Sequence, residues 1–311
     1  MTEEAAFSIP TIRLSDNAIT HDAFVQQMRA ACLETGFFYV TNHGVEPIID
    51  NLFEQSKLLF DLPLSEKKAL MDPVLSRGYT CMREETLDPA NQSIGDSKEG
   101  FYIAVNDISV DDDARYSPVK LAGPNQWPSS QTTPSMKDPE HFKKITQDFM
   151  NAALIVARKL IRLIAESLGL EATHFDKAFV EPLASLRLLH YDATQSDIDS
   201  GVFGCGAHSD YGMLTLLLTD ENDGLQIHYK NAWIDVPPKA DAFVVNLGDM
   251  LERWTNQKYK STVHRVVNKT GRERYSIPFF VEPAFDTVVE CLENCCDSTN
   301  PPKYPPTTSG E

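Results

Sequence analysis

Three metal-ligating side chains in the second half of the chain have a spacing that could serve chemistry. His208 and Asp210 are separated by one residue, and His264 follows later in a short β-branched segment. In an extended strand, side chains two residues apart lie on the same face, so His208 and Asp210 can reach one ion. Two histidines and one carboxylate leave coordination positions open, which suits non-haem Fe(II) oxygen chemistry. The spacing therefore predicts an iron site at His208, Asp210 and His264.

A second His-x-Asp pair, His190 and Asp192, competes with the first. In the predicted strand that contains it, Arg187, Leu189 and Tyr191 share one face, and His190 and Asp192 share the other. If Tyr191 faces the site, the competing pair faces away from it. The alternation therefore favours the first pair.

Arg274 and Ser276 repeat the two-residue spacing and share a strand face. A guanidinium group offers a planar pair of donors to a carboxylate, and a neighbouring hydroxyl adds a third donor. The pair predicts a carboxylate clamp beside the metal. The alternative is a surface arginine paired with Glu273 or Glu282.

The elements that must position these residues begin with an α/β region. Residues 7–14 predict a strand, and Thr20 is a candidate N-cap of a helix that Gly36 ends. Residues 37–41 predict a buried strand, residues 47–60 a second helix, and a short third helix begins near Ser65. Residues 83–137, with an acidic run at 111–113, predict a long segment with little regular structure. Such a segment is either a functional lid or a solvated loop.

The second half of the chain changes from helix to strands. Apolar residues at spacings of three and four predict a long amphipathic helix over residues 138–168. Short strands are predicted at 185–191, 213–218, 224–229, 242–247, 262–267 and 275–281. We therefore expect a mainly β fold with packed helices: a double-stranded β-helix (jelly roll) preceded by an N-terminal α/β region. Residues 1–135 form the N-terminal region, and residues 136–311 hold the long helix and the catalytic core in one integrated unit.

Composition limits the partners. The 311 residues include 28 basic and 45 acidic side chains, for a formal net charge of −17. That charge disfavours nucleic acid and anionic membranes as partners. The sequence contains no recognisable signal peptide or membrane-spanning segment, and we interpret its six cysteines as reduced thiols. We expect a cytoplasmic monomer that acts on a small molecule.

Several longer segments together resemble the isopenicillin-N-synthase-like branch of the Fe(II)/2-oxoglutarate-dependent dioxygenases, over nearly the whole chain. They are GFFYVTNHGV (36–45), RGY (77–79), KEGFY (98–102), GPNQWP (123–128), GCGAHSDYGMLTLL (204–217), NLGDMLERWTN (246–256), KSTVHRVVN (260–268) and RYSIPFF (274–280). The resemblance implies His208, Asp210 and His264 as iron ligands. It also implies that Arg274 and Ser276, with Tyr191, bind the distal carboxylate of 2-oxoglutarate.

The resemblance implies an oxidation driven by Fe(II), 2-oxoglutarate and O2, with succinate and CO2 as co-products. A substrate hydrogen is removed, and hydroxylation, desaturation or oxidative cyclisation follows. The family pattern has proline where Asp192 stands. It also continues into a C-terminal helix after a segment like the one ending at Glu311, so the chain is either truncated or has a more open pocket.

Substrate contacts are expected from the N-terminal third and from strand faces near the metal. The candidates are Arg77, Tyr79, Arg83, Tyr102, Phe203, His228 and Phe280. Arg77 and Arg83 favour a small carboxylate-bearing metabolite, unless both face solvent.

Three alternatives stay open at the level of sequence. One is an iron oxidase that does not use 2-oxoglutarate, in which Arg274 and Ser276 would bind the carboxylate of the substrate itself. The second is a catalytically silent binding protein, and the third is a zinc or nickel enzyme with the same ligands.

Overall fold

The computed structural model describes residues 8–15, 19–72, 74–112 and 114–311. Phe7 of the first predicted strand and Asp113 of the acidic run lie outside the described residues. The α-helices are α1 His21–Glu34, α2 Glu46–Phe60, α3 Leu64–Lys68, α4 Pro139–Ser167 and α5 Asp249–Trp254. The strands are β1 Thr11–Arg13, β2 Phe37–Thr41, β3 Met71–Asp72, β4 Arg77–Thr80, β5 Lys98–Ala104, β6 Leu183–Tyr191, β7 Cys205–His208, β8 Leu214–Thr219, β9 Leu225–Tyr229, β10 Ala232–Asp235, β11 Phe243–Leu247, β12 His264–Val266, β13 Arg274–Glu282, β14 Val288–Val289 and β15 Thr307–Thr308. Short 3-10 helices cover Pro118–Lys120, Asp176–Phe179 and Glu293–Cys295.

Two facing sheets form the core of the fold. The large sheet has the strand order β1-β2-β11-β8-β13-β6-β5-β4-β3, and the small sheet has the order β10-β9-β12-β7. Side chains of both sheets, including Phe37 and Val244 from the large one and Leu225 and Ile227 from the small one, pack in one apolar cluster. The expectation of a mainly β, jelly-roll protein with packed helices is confirmed.

The long helix α4 packs on the large sheet and supports it from behind. The ring of Phe149 lies 6.2 Å from that of Phe243 in β11 and 6.5 Å from that of Phe279 in β13. The side chain of Asp138 caps the helix by accepting a 2.9 Å hydrogen bond from the backbone N–H of His141. The predicted helix over residues 138–168 agrees with the observed bounds to within one residue.

The prediction of little regular structure over residues 83–137 is wrong for one segment. Residues 98–104 form β5, which pairs with β4 on one side and β6 on the other. Lys98 and Glu99 look unlike strand-core residues, yet both are buried. Lys98 pairs with Asp96 and Glu85, and Glu99 pairs with Lys67. Buried charges are accommodated when they are paired, and this pairing conceals the strand from a hydrophobicity pattern.

Strands from both sides of residue 135 share the large sheet, although the division into two regions stays a prediction. In the described part of the chain, none of the helices combines the length and the apolar character that a membrane crossing requires.

Candidate active site

The predicted metal ligands come together between the two sheets. Strands β7 and β12 are antiparallel, and His264 lies directly opposite His208 in their register. The Nε2 atoms of His208 and His264 each lie 3.7 Å from Oδ1 of Asp210. One ligand atom from each residue falls within 4.8 Å of the others. This spacing leaves room for one ion at the centre.

Backbone carbonyls orient both histidine rings toward that centre. Nδ1 of His208 lies 2.9 Å from the carbonyl oxygen of Gly206, and Nδ1 of His264 lies 3.1 Å from that of Thr262. Because a carbonyl only accepts, each Nδ1 carries the hydrogen and each Nε2 keeps a lone pair. Burial lowers the pKa of His264 to about 4, and the neighbouring His208 acts in the same direction. The neutral ring is the form that binds a metal.

One carboxylate oxygen of Asp210 is held by the large sheet while the other faces the histidines. Oδ2 accepts hydrogen bonds from Oγ1 of Thr215 at 2.6 Å and from Nδ2 of Asn246 at 2.7 Å. Thr215 and Asn246 are register partners on β8 and β11. Burial alone would raise the pKa of Asp210, but the two histidines and these two donors lower it. The site therefore presents an ionised oxygen, Oδ1, toward the metal position.

The predicted carboxylate clamp lines the same cavity as the metal ligands. Arg274 and Tyr191 are register partners on β13 and β6, and the guanidinium lies over the tyrosine ring at 4.9 Å from its centroid. Arg274 is 2% exposed, and its Nη1 has no hydrogen-bond partner among the described residues. Its Nε donates to the carbonyl of Asn222 at 3.3 Å. Ser276 is also buried, and it lines this cavity together with Tyr191. The surface alternative, pairing of Arg274 with Glu273 or Glu282, is not found among the ion pairs of the described residues.

An unpaired, buried guanidinium nitrogen costs free energy unless a ligand satisfies it, about 1–3 kcal/mol or more for a charged group. A carboxylate is the natural acceptor for this donor. The residues present therefore fit both groups: a divalent transition metal such as Fe(II) at His208, Asp210 and His264, and a carboxylate-bearing ligand at Arg274, Ser276 and Tyr191.

Two cations that the substrate hypothesis did not include also line this cavity, namely Lys98 and Arg187. Arg187 pairs with Glu85 at 2.5 Å, and Lys98 lies 3.1 Å from the same glutamate. In the sequence, the alternation of β6 places Arg187 on the same face as Tyr191. This alternation is the sequence signal that indicates Arg187 as a residue of the cavity. Most of the remaining wall is apolar: Phe37, Leu87, Leu189, Leu217, Leu225, Val266, Pro278 and Phe280.

The structure places Arg77 and Tyr79 away from this cavity. The Arg77 guanidinium is buried and donates to the backbone carbonyls of Asn106, Gly123 and Leu121. It therefore braces the loop before α4 and lies outside the metal cavity. The Tyr79 hydroxyl donates to Glu99 at 2.5 Å inside the core.

Three further substrate candidates also lie outside the cavity wall. Arg83 is partly exposed and lies 3.6 Å from the carboxylate of Asp192. His228 is exposed, and its ring packs against Trp233 at 5.2 Å. Phe203 is buried under the guanidinium of Arg265. The structure therefore does not bring Arg77 and Arg83 together with the metal ligands, since neither lines this cavity.

Phe280 lines the cavity, and Tyr102 stacks on it with ring centroids 6.3 Å apart. Tyr102 in turn carries the guanidinium of Arg187 over its ring at 5.2 Å. Of the seven substrate candidates, these two are therefore the ones that the structure brings to the metal cavity or its wall.

His190 of the competing pair lies on the opposite face of β6, as alternation predicts, and Asp192 lies just beyond the end of that strand. Nδ1 of His190 lies 2.8 Å from Oε1 of Glu99, and its ring stacks on Tyr275 at 4.7 Å. Asp192 accepts a hydrogen bond from the backbone of Thr194.

Comparison with known proteins supports this chemistry independently. A family model described as the 2OG-Fe(II) oxygenase superfamily matches residues 183–283, and one described as non-haem dioxygenase in morphine synthesis N-terminal matches residues 9–130. The 2-oxoglutarate-Fe(II) type oxidoreductase hxnY of Emericella nidulans is 40% identical over 290 residues, which cover 91% of this chain and 81% of the relative. Kihadalactone A synthase of Citrus sinensis is 35% identical over 321 residues, which cover 100% of this chain and 91% of the relative.

A solved structure gives the same result at the level of the fold. It is that of a full-length Neurospora crassa protein in complex with alpha-KG and thymine. The two proteins are 30% identical with a TM-score of 0.82, and the match covers 99% of this chain and 95% of that chain. This chain belongs to the 2OG-Fe(II) oxygenase superfamily and is an iron- and 2-oxoglutarate-dependent oxidoreductase.

Proposed function

We propose that the protein oxidises a small organic molecule at a metal held by His208, Asp210 and His264, with 2-oxoglutarate anchored by Arg274, Ser276 and Tyr191. The observation that carries this proposal is the presence of two sets of groups in one cavity. Two histidines present lone pairs beside an ionised Asp210, and the Nη1 of Arg274 is buried without a partner among the described residues. The first set fits Fe(II), and the second fits the distal carboxylate of 2-oxoglutarate.

Each side chain has a distinct task in this proposal. The Nε2 atoms of His208 and His264 and Oδ1 of Asp210 would hold the metal, while Thr215 and Asn246 hold Oδ2 so that the carboxylate keeps its orientation. Arg274 binds the distal carboxylate through its planar nitrogens, and Ser276 and Tyr191 supply hydroxyl donors. Burial raises the pKa of Tyr191, so this hydroxyl keeps its proton. The apolar wall limits the access of water to the reacting carbon.

When bound, iron and 2-oxoglutarate activate O2 and supply the oxidising power. In a hydroxylation one oxygen atom of O2 goes to succinate and the other to the substrate, and CO2 leaves. Desaturation and ring closure begin with the same removal of a substrate hydrogen. The protein determines which outcome follows by positioning the substrate carbon.

Substrate-stimulated succinate release tests the proposal. Purified protein is reconstituted with Fe(II) and 2-oxoglutarate, and succinate and O2 consumption are measured with and without candidate substrates. We expect coupled formation of succinate, and loss of activity in His208→Ala and His264→Ala. Oxidation without succinate would support the oxidase that does not use 2-oxoglutarate. Failure to bind Fe(II) would contradict the proposal altogether.

We propose a monomer, as expected from the sequence, and light scattering of the purified protein at several concentrations tests it.

A further inference from the structure

We propose that Arg187 is the anchor for a carboxylate of the primary substrate, distinct from the clamp at Arg274. This inference rests on the proposed function, because it assigns the substrate class of the same cavity. It replaces Arg77 and Arg83, which the structure places outside the cavity, with an arginine that lines it.

Arg187 is buried and only partly satisfied. The residue is 8% exposed, and one nitrogen of its guanidinium pairs with Oε1 of Glu85 at 2.5 Å. Its Nε is buried and has no hydrogen-bond partner in the described part of the chain. A charged group in this condition retains hydrogen-bonding capacity for a ligand oxygen.

The surroundings hold the guanidinium plane in one orientation. One side lies over the ring of Tyr102, 5.2 Å from its centroid. The neighbouring strand carries Gly100, and a Cβ at that position would lie 3.0 Å from Nε and 3.2 Å from Nη2 of Arg187. The absence of a side chain at Gly100 therefore leaves the donor edge of the guanidinium uncrowded. A planar donor fixed in this way is pre-organised for a carboxylate.

The charges of the cavity wall also favour a second anion. The lining of the cavity includes three cationic side chains and one carboxylate. The cations are Lys98, Arg187 and Arg274, and the carboxylate is that of Asp210. Lys98 is engaged by Asp96 and Glu85, both within ion-pair distance. Arg274 is assigned to 2-oxoglutarate. Arg187 is the cation among these described residues that remains for the substrate.

The two anchors lie on neighbouring strands of the large sheet, Arg187 on β6 and Arg274 on β13, and they do not overlap. Arg187 and Tyr191, the register partner of Arg274, are four residues apart on β6, which corresponds to about 13 Å along a strand. A substrate carboxylate at Arg187 thus leaves the 2-oxoglutarate position free. Beside Arg187 the wall consists of Leu189, Pro278 and Phe280. The expected substrate is therefore a small carboxylic acid with an apolar body.

Binding of matched acids and esters tests this inference. The protein is loaded with Mn(II), which stands in for Fe(II) without turnover, and with 2-oxoglutarate. Dissociation constants are then measured by calorimetry for phenylacetic, cinnamic and cyclohexanecarboxylic acids and for their methyl esters. We expect at least one acid to bind about tenfold to a hundredfold more tightly than its ester, as a charge-assisted hydrogen bond implies. In Arg187→Met the ratio of the dissociation constant of the ester to that of the acid should fall to about one.

Comparing the dissociation constants of acid and ester within each variant cancels any loss of affinity that affects both ligands equally. Arg83→Met is the matched control, because it removes an arginine that pairs with Asp192 outside the cavity and should keep the wild-type ratio. Gly100→Ala provides a second route if Arg187→Met does not fold, because the added methyl group crowds the guanidinium and should lower the ratio.

Two results would overturn the inference: wild-type protein that binds no acid better than its ester, or an Arg187→Met variant that keeps the wild-type preference. Neither result affects the proposed function, which fails separately if the wild-type protein does not bind Mn(II) or 2-oxoglutarate.

Discussion

Replacement of Thr215 by valine should weaken metal binding without removing a metal ligand. Oγ1 of Thr215 donates a 2.6 Å hydrogen bond to Oδ2 of Asp210. Valine has nearly the same shape but no hydroxyl group, so the carboxylate loses one of its two supports. The remaining support is the 2.7 Å bond from Asn246. Asp210 should then be less well oriented and less strongly biased toward its ionised form.

Two estimates of the effect agree. A hydrogen bond to a charged group contributes about 1.5–3 kcal/mol. Mutation of a residue that orients a metal ligand typically costs about 10–100-fold in affinity, which corresponds to about 1.4–2.8 kcal/mol. Because Asn246 still bonds the same oxygen atom, we expect the lower part of this range for Thr215→Val, about tenfold to thirtyfold weaker Fe(II) binding.

Anaerobic titration of the metal-free protein with Fe(II) measures the effect. Thr146→Val is a matched control, because Oγ1 of this buried threonine donates a 2.7 Å bond to a neutral carbonyl, that of Phe142, within α4. It should lose stability but retain wild-type iron affinity. If Thr215→Val binds Fe(II) as tightly as Thr146→Val, the hydrogen bond to Oδ2 does not support the metal site and the reasoning fails.

Three further predictions concern other parts of the site and the core. Arg274→Lys should raise the KM for 2-oxoglutarate about 10–100-fold in succinate assays, because an ammonium group lacks the planar pair of donors; an unchanged KM would contradict the clamp. Burial alone would raise the pKa of Glu99, but hydrogen bonds from His190 and Lys67 lower it below 4.5. This carboxylate thus contributes stability above about pH 4.5 that is lost as the pH falls through its folded-state pKa. In urea unfolding below that pH, wild type should lose stability more steeply than Glu99→Gln, and parallel curves would refute this. Mn(II) at one hundred times its dissociation constant should raise the free energy of unfolding by about 2.7 kcal/mol, and His264→Ala should abolish the increase; a similar gain in the variant would place the metal elsewhere.

The metal ligands and the clamp could be predicted because strand alternation is a local property. Arg274 and Ser276 lie two residues apart on β13, so their side chains share a face wherever that strand lies. Asp210 lies in the loop two residues after the end of β7, and this short separation in sequence keeps it beside His208. The register that sets His264 opposite His208 is non-local. Local spacing therefore predicts the types of ligand but not the distances between them. The assignment of His264 to the same metal site as His208 and Asp210 depends on the family resemblance.

The substrate side could not be predicted in the same way, since exposure of an arginine depends on its tertiary partners. Arg77 and Arg83 are candidates only because of their charge and their place in the first third of the chain. Arg77 is buried because three backbone carbonyls of a distant loop accept its hydrogen bonds. Nothing in the sequence near residue 77 identifies those carbonyls.

Arg187 illustrates the opposite case, in which the local signal was present but incomplete. Alternation places it on the face of Tyr191, and the structure adds that Glu85 satisfies only part of its guanidinium. A fully paired arginine at this position would be a structural ion pair of the barrel wall. The unpaired Nε beside Gly100 is what distinguishes a ligand-binding arginine from a structural one, and it depends on a contact between β5 and β6. The inferred choice of substrate thus depends on which donors the neighbouring strand leaves unsatisfied, whereas the metal site combines a local pair, His208 and Asp210, with His264 from a paired strand.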